Sequence, residues 1–529
     1  MIVDLATQQG VSRDLETDVL IIGAGIAGLI LAARLRDRNI RVVVLESGGR
    51  EQAGETHPLN RVVQLGDAYS GATQGRFRCL GGTSTRWGGA LIPFTKHDLD
   101  ARPYLGLPVF PVEIEDLRRY LAQVEALFGL DAGSYEEEFV QQIGAEKFIP
   151  TGDEDFIVRF AKWPAFKNRN IAVLFSELIE LDNNLQVWIN STATHFTLDA
   201  ENCRIQSVTA GDKSSKSVTV AAKHFAICAG AIESTRLLLL LDREYDHRIF
   251  QRCNALGRFF YDHISIPVAG ISAKQIARLN RLAAFRFVGS TMRSLRFELS
   301  TMVQETECVG SAFGHISFRT ERTTGFDALR QFLRSQQRSG EIQPTLLLAA
   351  LRDAPYLAKV GLWRTFYNQL LWPVPATYEL HVVAEQRPQA DNQITLSGET
   401  DSFGLPVAAI KWQVTQEDCN TFSVFKHYFD RFWNRRGLGA LGDLNWTYEH
   451  RAGAVNQALQ ADVYHPGGST RMGTDARSAV VDSDLRSFEI SNLWISSTSV
   501  FPSGGGANPT LTLMLLTMRL ADHLCSELL

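Results

Sequence analysis

The chain has 529 residues, 45% of them hydrophobic and 21% charged, with a net charge of −5. That length and apolar content support a core large enough to split into two domains, and the lack of a basic excess excludes nucleic acid as an expected partner. Seven scattered cysteines without a CxxC pair exclude a zinc ribbon or a dithiol motif and suit free thiols in a reducing compartment.

The first 16 residues lack the basic-then-apolar pattern of a secretory signal, and no apolar run is long enough to span a membrane. The expectation is a cytoplasmic protein. Residues 18–22 (DVLII) read as a short β-branched strand, followed by Gly23-Ala24-Gly25-Ile26-Ala27-Gly28 and an apolar helix to about Arg36. A second strand over 41–45 (RVVVL) ends at Glu46 and Ser47. This is a βαβ unit opening an α/β domain.

A GxGxxG pattern alone is weak, and the chain carries it twice. Gly437-Leu438-Gly439-Ala440-Leu441-Gly442 follows a charged helical stretch and precedes no apolar helix, so it reads as a loop or helix cap. The first match has a strand before it, a helix after it and an acid near the spacing of about 20 residues that a dinucleotide site requires. Gly23 permits the tight turn, Gly25 lets a pyrophosphate approach the backbone, and Gly28 lets helix and strand pack closely. The helix N-terminus faces the phosphate charge, and Glu46 can accept from ribose hydroxyls. The fingerprint does not choose between FAD and NAD.

Residues 80–91 (LGGTSTRWGGAL), 224–240 and 465 onward share this apolar, glycine-punctuated character. They predict one discontinuous Rossmann-like domain over 1–100, 166–270 and 461–529. Residues 101–165 are expected to form a cap, and 271–460 a substrate domain with an antiparallel sheet. Residues 378–412 alternate like strands, with a turn at Asp401-Ser402-Phe403-Gly404. Residues 271–370 hold 14 Lys/Arg against 7 Asp/Glu.

Within 326–372, Phe326, Leu329, Phe332 and Leu333 fall on one helical face near Arg330, Arg334 and Arg338. Residues 346–348, Leu351, Trp363, Phe366, Tyr367 and Leu370–Trp372 follow, mixed with Arg352, Lys359 and Arg364. The favoured reading is a helical cap whose apolar face packs on the substrate domain. A lid, an oligomer contact or a peripheral contact with an anionic membrane are the alternatives.

The stretch His465-Pro466-Gly467-Gly468-Ser469-Thr470-Arg471-Met472-Gly473, then Val481-Asp482-Ser483-Asp484-Leu485, Ser499-Val500-Phe501-Pro502 and Gly506-Ala507-Asn508-Pro509-Thr510, resembles the glucose–methanol–choline (GMC) flavoprotein oxidoreductases. The first glycine fingerprint, the Gly81-Gly82 loop and Ala229-Gly230-Ala231 match as well. Residues 80–87 (LGGTSTRW) are most similar to the pyranose oxidase branch, whose members attach a histidine covalently to the flavin in a Ser-Thr-His-Trp motif. Arg86 stands at that position here, which implies a non-covalent FAD.

The resemblance also implies cofactor contacts from residues 23–28, Glu46 and Ser47. It adds Gly81, Gly82, Thr83, Arg86 and Trp87, with Gly88 beside the reactive flavin nitrogen, and then Thr194, Ala229, Gly230 and Thr498, with Asn508, Pro509 and Thr510 at the C-terminal end. A sugar or glycoside alcohol is the implied substrate. Either O₂ or a quinone or protein is the acceptor.

Alcohol oxidation by a flavin needs a base for the hydroxyl proton and a hydride acceptor, and a placed base contributes about 10²–10⁴ in rate. His465 stands at the family's base position, and imidazole suits the task. Asn508 stands where the family has His or Asn facing the substrate oxygen, and its amide can hold developing alkoxide charge. Asn508 is equally a good N-cap, since Pro509 and an apolar run follow it. His263, in Phe259-Phe260-Tyr261-Asp262-His263, reads as structural, at the crossing between domains. No serine elbow, phosphate loop or zinc helix motif occurs, and no metal is expected. The alternatives are a flavin-containing lyase of the hydroxynitrile lyase type, a dehydrogenase of a non-sugar alcohol using a quinone or protein acceptor, and a membrane-surface or partner-binding protein with a vestigial flavin.

Overall fold

Val19-Leu20-Ile21-Ile22 is apolar without alternation, the pattern of a strand buried on both faces. In the computed structural model, which describes residues 1–10, 12–199, 201, 203–320, 325–339, 345, 348, 350–448 and 464–528, it lies centrally in an eight-stranded sheet. The order across that sheet is Ile2–Asp4, Leu185–Ile189, Val42–Leu45, Ser12–Ile22, Ser217–Ile227, Arg204–Gly211, Thr192–Asp199, and Leu493–Ile495 also pairs with Ser217–Ile227. The strand expected at 18–22 extends back to Ser12, because residues from Ser12 onward stay in parallel register with Ser217–Ile227. The helix Ile26–Arg36 packs on the C-terminal helix Pro509–Leu528. The two chain ends therefore share one core, which joins the glycine fingerprint to the C-terminal motif.

A second, antiparallel sheet runs in the order Arg286–Val288, Thr291–Leu299, Ala312–Arg319, Thr377–Glu385, His263–Ala273, Gly442–Trp446. Phe156–Trp163 pairs with Thr291–Leu299, so this sheet draws a strand from the segment expected to be cap, and it takes up the chain at His263, ahead of residue 271. One face packs on the helix Gln416–Arg435, where Phe156 and Phe297 meet Phe425, Phe429 and Phe432 edge-on or tilted. The other face is polar and carries Arg159, Arg296, Glu298, His315 and His381.

The strands read at 378–412 divide between two sheets. Thr377–Glu385 belongs to the second sheet, while Gln393–Thr400 and Pro406–Trp412 form a three-stranded sheet with Val62–Gly66. Their buried side chains Ile394, Ala408, Ile410 and Trp412 pack on Tyr69, Ile232 and Phe260 instead. Local alternation gives the strand and its faces, but not which apolar surface will cover them. The second GxGxxG match lies in a 3-10 turn, Leu438–Ala440, just past the helix Gln416–Arg435. The segment read as helical cap holds the helices Gly325–Ser339 and Ala354–Tyr367, while residues 346 and 347 lie outside the described residues. All seven cysteines are free. Among the described residues no helix is long and apolar enough to cross a membrane, and no group of side chains could hold a metal ion.

Candidate active site

Gly23 takes φ +108, and a Cβ there would lie 2.6 Å from the Cys228 carbonyl oxygen. A Cβ at Gly28 would lie 1.9 Å from the Gly23 carbonyl oxygen. Both positions are therefore closed to any side chain. At Gly25 the reverse holds: no atom lies within 4 Å of a built Cβ, so its backbone faces open space. Gly25 caps Ile26–Arg36 without a side-chain hydrogen bond, which leaves the helix's first amides and its positive end directed at that space. The Gly81-Gly82 loop closes over it, with a Gly82 Cβ placed 3.0 Å from Gly25 Cα.

Glu46 is 6% exposed and accepts from the Ala24 amide at 3.0 Å and the Gly48 amide at 2.8 Å. Burial pushes its carboxyl pKa upward. Each oxygen keeps a lone pair for a ribose hydroxyl. Open backbone at a helix N-terminus beside a buried carboxylate fits a dinucleotide such as FAD.

The other expected cofactor contacts are placed as follows. The Ser47 hydroxyl accepts from Arg78 Nη1 at 2.9 Å. Thr83 donates to the Gly75 carbonyl, Trp87 Nε1 donates to the Arg169 carbonyl at 2.8 Å, and Gly88 lies against the Trp163 ring. Arg86 is exposed, its guanidinium over the Phe77 ring. Gly230, after Ala229, faces open space at the start of Ala231–Glu244. Thr498 donates to the Pro466 carbonyl, and Pro509 and Thr510 open the C-terminal helix. Thr194 spends its hydroxyl on the Thr209 carbonyl, and it is Ser191 whose amide reaches the Glu46 carbonyl. Sequence reasoning missed Gln337, whose amide donates to the Ser84 and Trp87 carbonyls at 3.1 and 2.9 Å. A glutamine on an amphipathic helix carries no signal for that contact.

His465 and Asn508, 43 residues apart, meet: Asn508 Nδ2 lies 3.3 Å from His465 Nε2. Asn508 Oδ1 accepts from Arg296 Nη2 at 2.8 Å, so its oxygen does not cap the helix and its NH₂ end is turned to the histidine. On the other side His465 Nδ1 lies 3.3 Å from His263 Nδ1, with the rings at 89°. His263 Nε2 lies 2.8 Å from the Gly505 carbonyl oxygen.

These contacts assign the tautomers. A carbonyl only accepts, so His263 Nε2 carries a proton. Burial holds the His263 pKa down, which leaves Nδ1 of the neutral ring as an acceptor. His465 Nδ1 must then donate, and its ring lone pair is on Nε2, facing Asn508 Nδ2. The His465 pKa is held well below the ordinary imidazole value by burial, then by His263 and Arg296. His263 is thus part of the site and not only a domain-crossing residue.

Asp262 accepts from the His465 amide at 2.6 Å, the His263 amide at 2.7 Å and the Tyr69 hydroxyl at 2.6 Å, fixing the backbone of both histidines. Arg296, stacked 3.8 Å over Phe313, brings the polar face of the second sheet to the pair. His315 and His381 stack there at 5.5 Å, and His315 Nδ1 is buried with no hydrogen-bond partner. Burial, His381 and Arg296 push the His315 pKa down to about 3, so that ring is neutral.

Residues 388–517 match the model of the GMC oxidoreductase family, and residues 21–55 match an NAD(P)-binding Rossmann-like domain. The fructose dehydrogenase large subunit of Gluconobacter japonicus is 21% identical over 98% of this chain and 99% of its own. The 2-methyl-1,2-propanediol dehydrogenase of Mycolicibacterium austroafricanum is 22% identical over 96% of this chain and 95% of its own. The C-glycoside 3-oxidase of Arthrobacter globiformis is 30% identical, but over 27% of this chain and 25% of its own. Among solved structures, formate oxidase of Aspergillus oryzae superposes with a TM-score of 0.61 at 16% identity, covering 97% of this chain and 98% of its own.

Proposed function

We propose that this chain, a GMC oxidoreductase that binds FAD, oxidises the CH–OH group of a sugar or other polyol, with His465 as base and Asn508 holding the oxygen. The observation that carries this reading is the bond from Asn508 Nδ2 to His465 Nε2. It places one donor and one lone pair on the same spot, where an alcohol oxygen can take both. Bound in the cradle, FAD supplies the hydride acceptor. Arg86 offers no nucleophile for covalent attachment, which supports a dissociable cofactor.

His465 Nε2 takes the hydroxyl proton, and the depressed pKa keeps the ring unprotonated and available throughout the neutral range. Asn508 Nδ2 donates to the oxygen as negative charge grows on it, which is where a fixed dipole does most. Arg296 keeps that amide from turning over. The unpaired His315 Nδ1 and the neighbouring His381 offer sites for further hydroxyls, which supports a polyhydroxylated substrate. Relatives named for fructose and for a C-glycoside support the same class.

The test is anaerobic mixing of the yellow holoenzyme with hexoses, glycosides, vicinal diols and simple primary alcohols, followed by visible absorbance. Sugars or glycosides are expected to bleach the bound FAD fastest, and His465→Ala is expected to keep its colour while holding FAD. Bleaching by none of these donors, or by the His465→Ala variant at the native rate, removes the reading.

A further inference from the structure

A helix on a soluble domain normally turns its apolar stripe inward. Ala354–Tyr367 is apolar on both sides: Tyr356, Leu357, Val360 and Trp363 turn half inward, none of its residues is fully buried, and a second apolar row stays outside. Ala354, Ala358, Leu362 and Phe366, spaced four apart, form one outward row with Leu351 and Pro355 beside it. Phe366 is 75% exposed, Leu348 66%, Val374 64% and Leu362 60%; among the large apolar side chains of the described residues only Leu181, at 78%, is more exposed than Phe366.

The inner side of the helix is anchored. The Tyr356 hydroxyl donates to the Leu371 carbonyl at 2.8 Å, and Trp363 and Tyr367 pack at 4.4 Å. Arg364 stacks on Phe287 and Arg281 on Tyr367. The outward row is thus held in place rather than left over from loose packing. The cap reading, with its apolar face inward, accounts for Tyr356, Leu357, Val360 and Trp363 but not for this outward row.

Charge selects the occupant. No Asp or Glu occurs between Asp353 and Glu379, while Lys359 flanks the row and Arg364 and Arg281 stand behind it. This positive, apolar face belongs to a chain whose net charge is −5. A two-fold contact between copies of the row would bring Lys359 toward its own symmetry mate, a like-charge approach that disfavours it. An anionic lipid surface accepts both features: apolar side chains enter the acyl boundary and cations meet the headgroups.

We infer that Ala354–Tyr367 is an interfacial helix that seats the enzyme on an anionic membrane surface, with Leu362 and Phe366 inserted and Lys359 at the headgroup level. The contact is peripheral, since no helix among the described residues can span the bilayer.

The experiment is co-sedimentation of the holoenzyme with phosphatidylcholine vesicles, with and without phosphatidylglycerol, at low and high salt. The wild type is expected to pellet with the anionic vesicles at low salt and to be released by salt. The exposed double variant Leu362→Ser/Phe366→Ser is expected to partition at least about tenfold less, given the apolar area withdrawn, with unchanged thermal midpoint and turnover in solution. Lys359→Glu is expected to weaken binding only when phosphatidylglycerol is present. The inference fails if the wild type stays in the supernatant at low salt, or if the double variant pellets like the wild type. It fails equally if sedimentation analysis finds a dimer that the double variant dissolves while vesicles bind neither form; a second copy then owns this face.

Discussion

Arg296 Nη2 donates to Asn508 Oδ1 at 2.8 Å, and this one bond decides which end of the Asn508 amide faces His465. Reversed, the amide would present an oxygen to the lone pair on His465 Nε2, and under the proposed function the site would repel the developing alkoxide. Arg296 is buried beside Glu298 and Phe313, with burial lowering its pKa to about 10, so it stays charged in the neutral range.

Arg296→Met is expected to slow anaerobic FAD reduction by about 10², the scale of losing one aligned oxyanion donor. It also removes a cation that holds the His465 pKa down, so the acid limb of the rate–pH profile moves to higher pH. Rates measured from pH 5 to 9 check both. A limb that stays put or moves down would show that Arg296 does not act on the base.

His263 holds the proton of His465 on Nδ1 through a 3.3 Å contact. His263→Ala lets the base adopt the wrong tautomer or turn away, so kcat is expected to fall about tenfold or more with KM little changed. The measurement is reduction rate per bound FAD at saturating donor. A role in packing alone would lower FAD content and stability and leave that rate intact.

Burial raises the Asp262 carboxyl from its ordinary value to about 7. In the unfolded chain this group ionises near pH 4, while the folded protein keeps the proton until about pH 7. Its stabilising contribution is therefore present at low pH and lost as pH rises through that window, an effect of at most about 4 kcal/mol. Denaturation midpoints measured from pH 4 to 8 are expected to show this slope in the wild type and a flatter profile in Asp262→Asn. Equal slopes would place the Asp262 proton elsewhere.

Gly25 and Gly28 separate cofactor binding from folding. Gly25→Ala places its methyl in space that no protein atom occupies, so the apo-protein is expected to melt as the wild type does. A pyrophosphate held at this helix N-terminus would meet the methyl, and the FAD dissociation constant is expected to rise about tenfold or more. Gly28→Ala drives a Cβ into the Gly23 carbonyl and is expected to abolish soluble folded protein. Apo-protein melting curves and FAD titrations distinguish the two; a Gly28→Ala protein with native stability would contradict the packing.

The βαβ start was legible because its signals are local: apolar residues without alternation, glycines where no Cβ fits, and an acid at the end of the next strand. The pairing of His465 with Asn508 was legible only through the motif they share. Thr194 was expected at the cofactor; its hydroxyl donates to the Thr209 carbonyl, across the antiparallel pair of Thr192–Asp199 with Arg204–Gly211. Gln337 was missed because its partners are backbone carbonyls some 250 positions away.

By itself the sequence marked out the dinucleotide turn and nominated His465 and Asn508 for the site, since each depends on residue type and short spacing. Only the tertiary structure decided that the Asn508 amide turns to His465 rather than capping its own helix, that His263 neighbours His465, and that the Ala354–Tyr367 row faces outward. Those outcomes depend on which side chains the two sheets and the C-terminal helix bring together. A hydrogen bond's direction is set by the partner that arrives, and the periodicity of one segment carries no record of that partner.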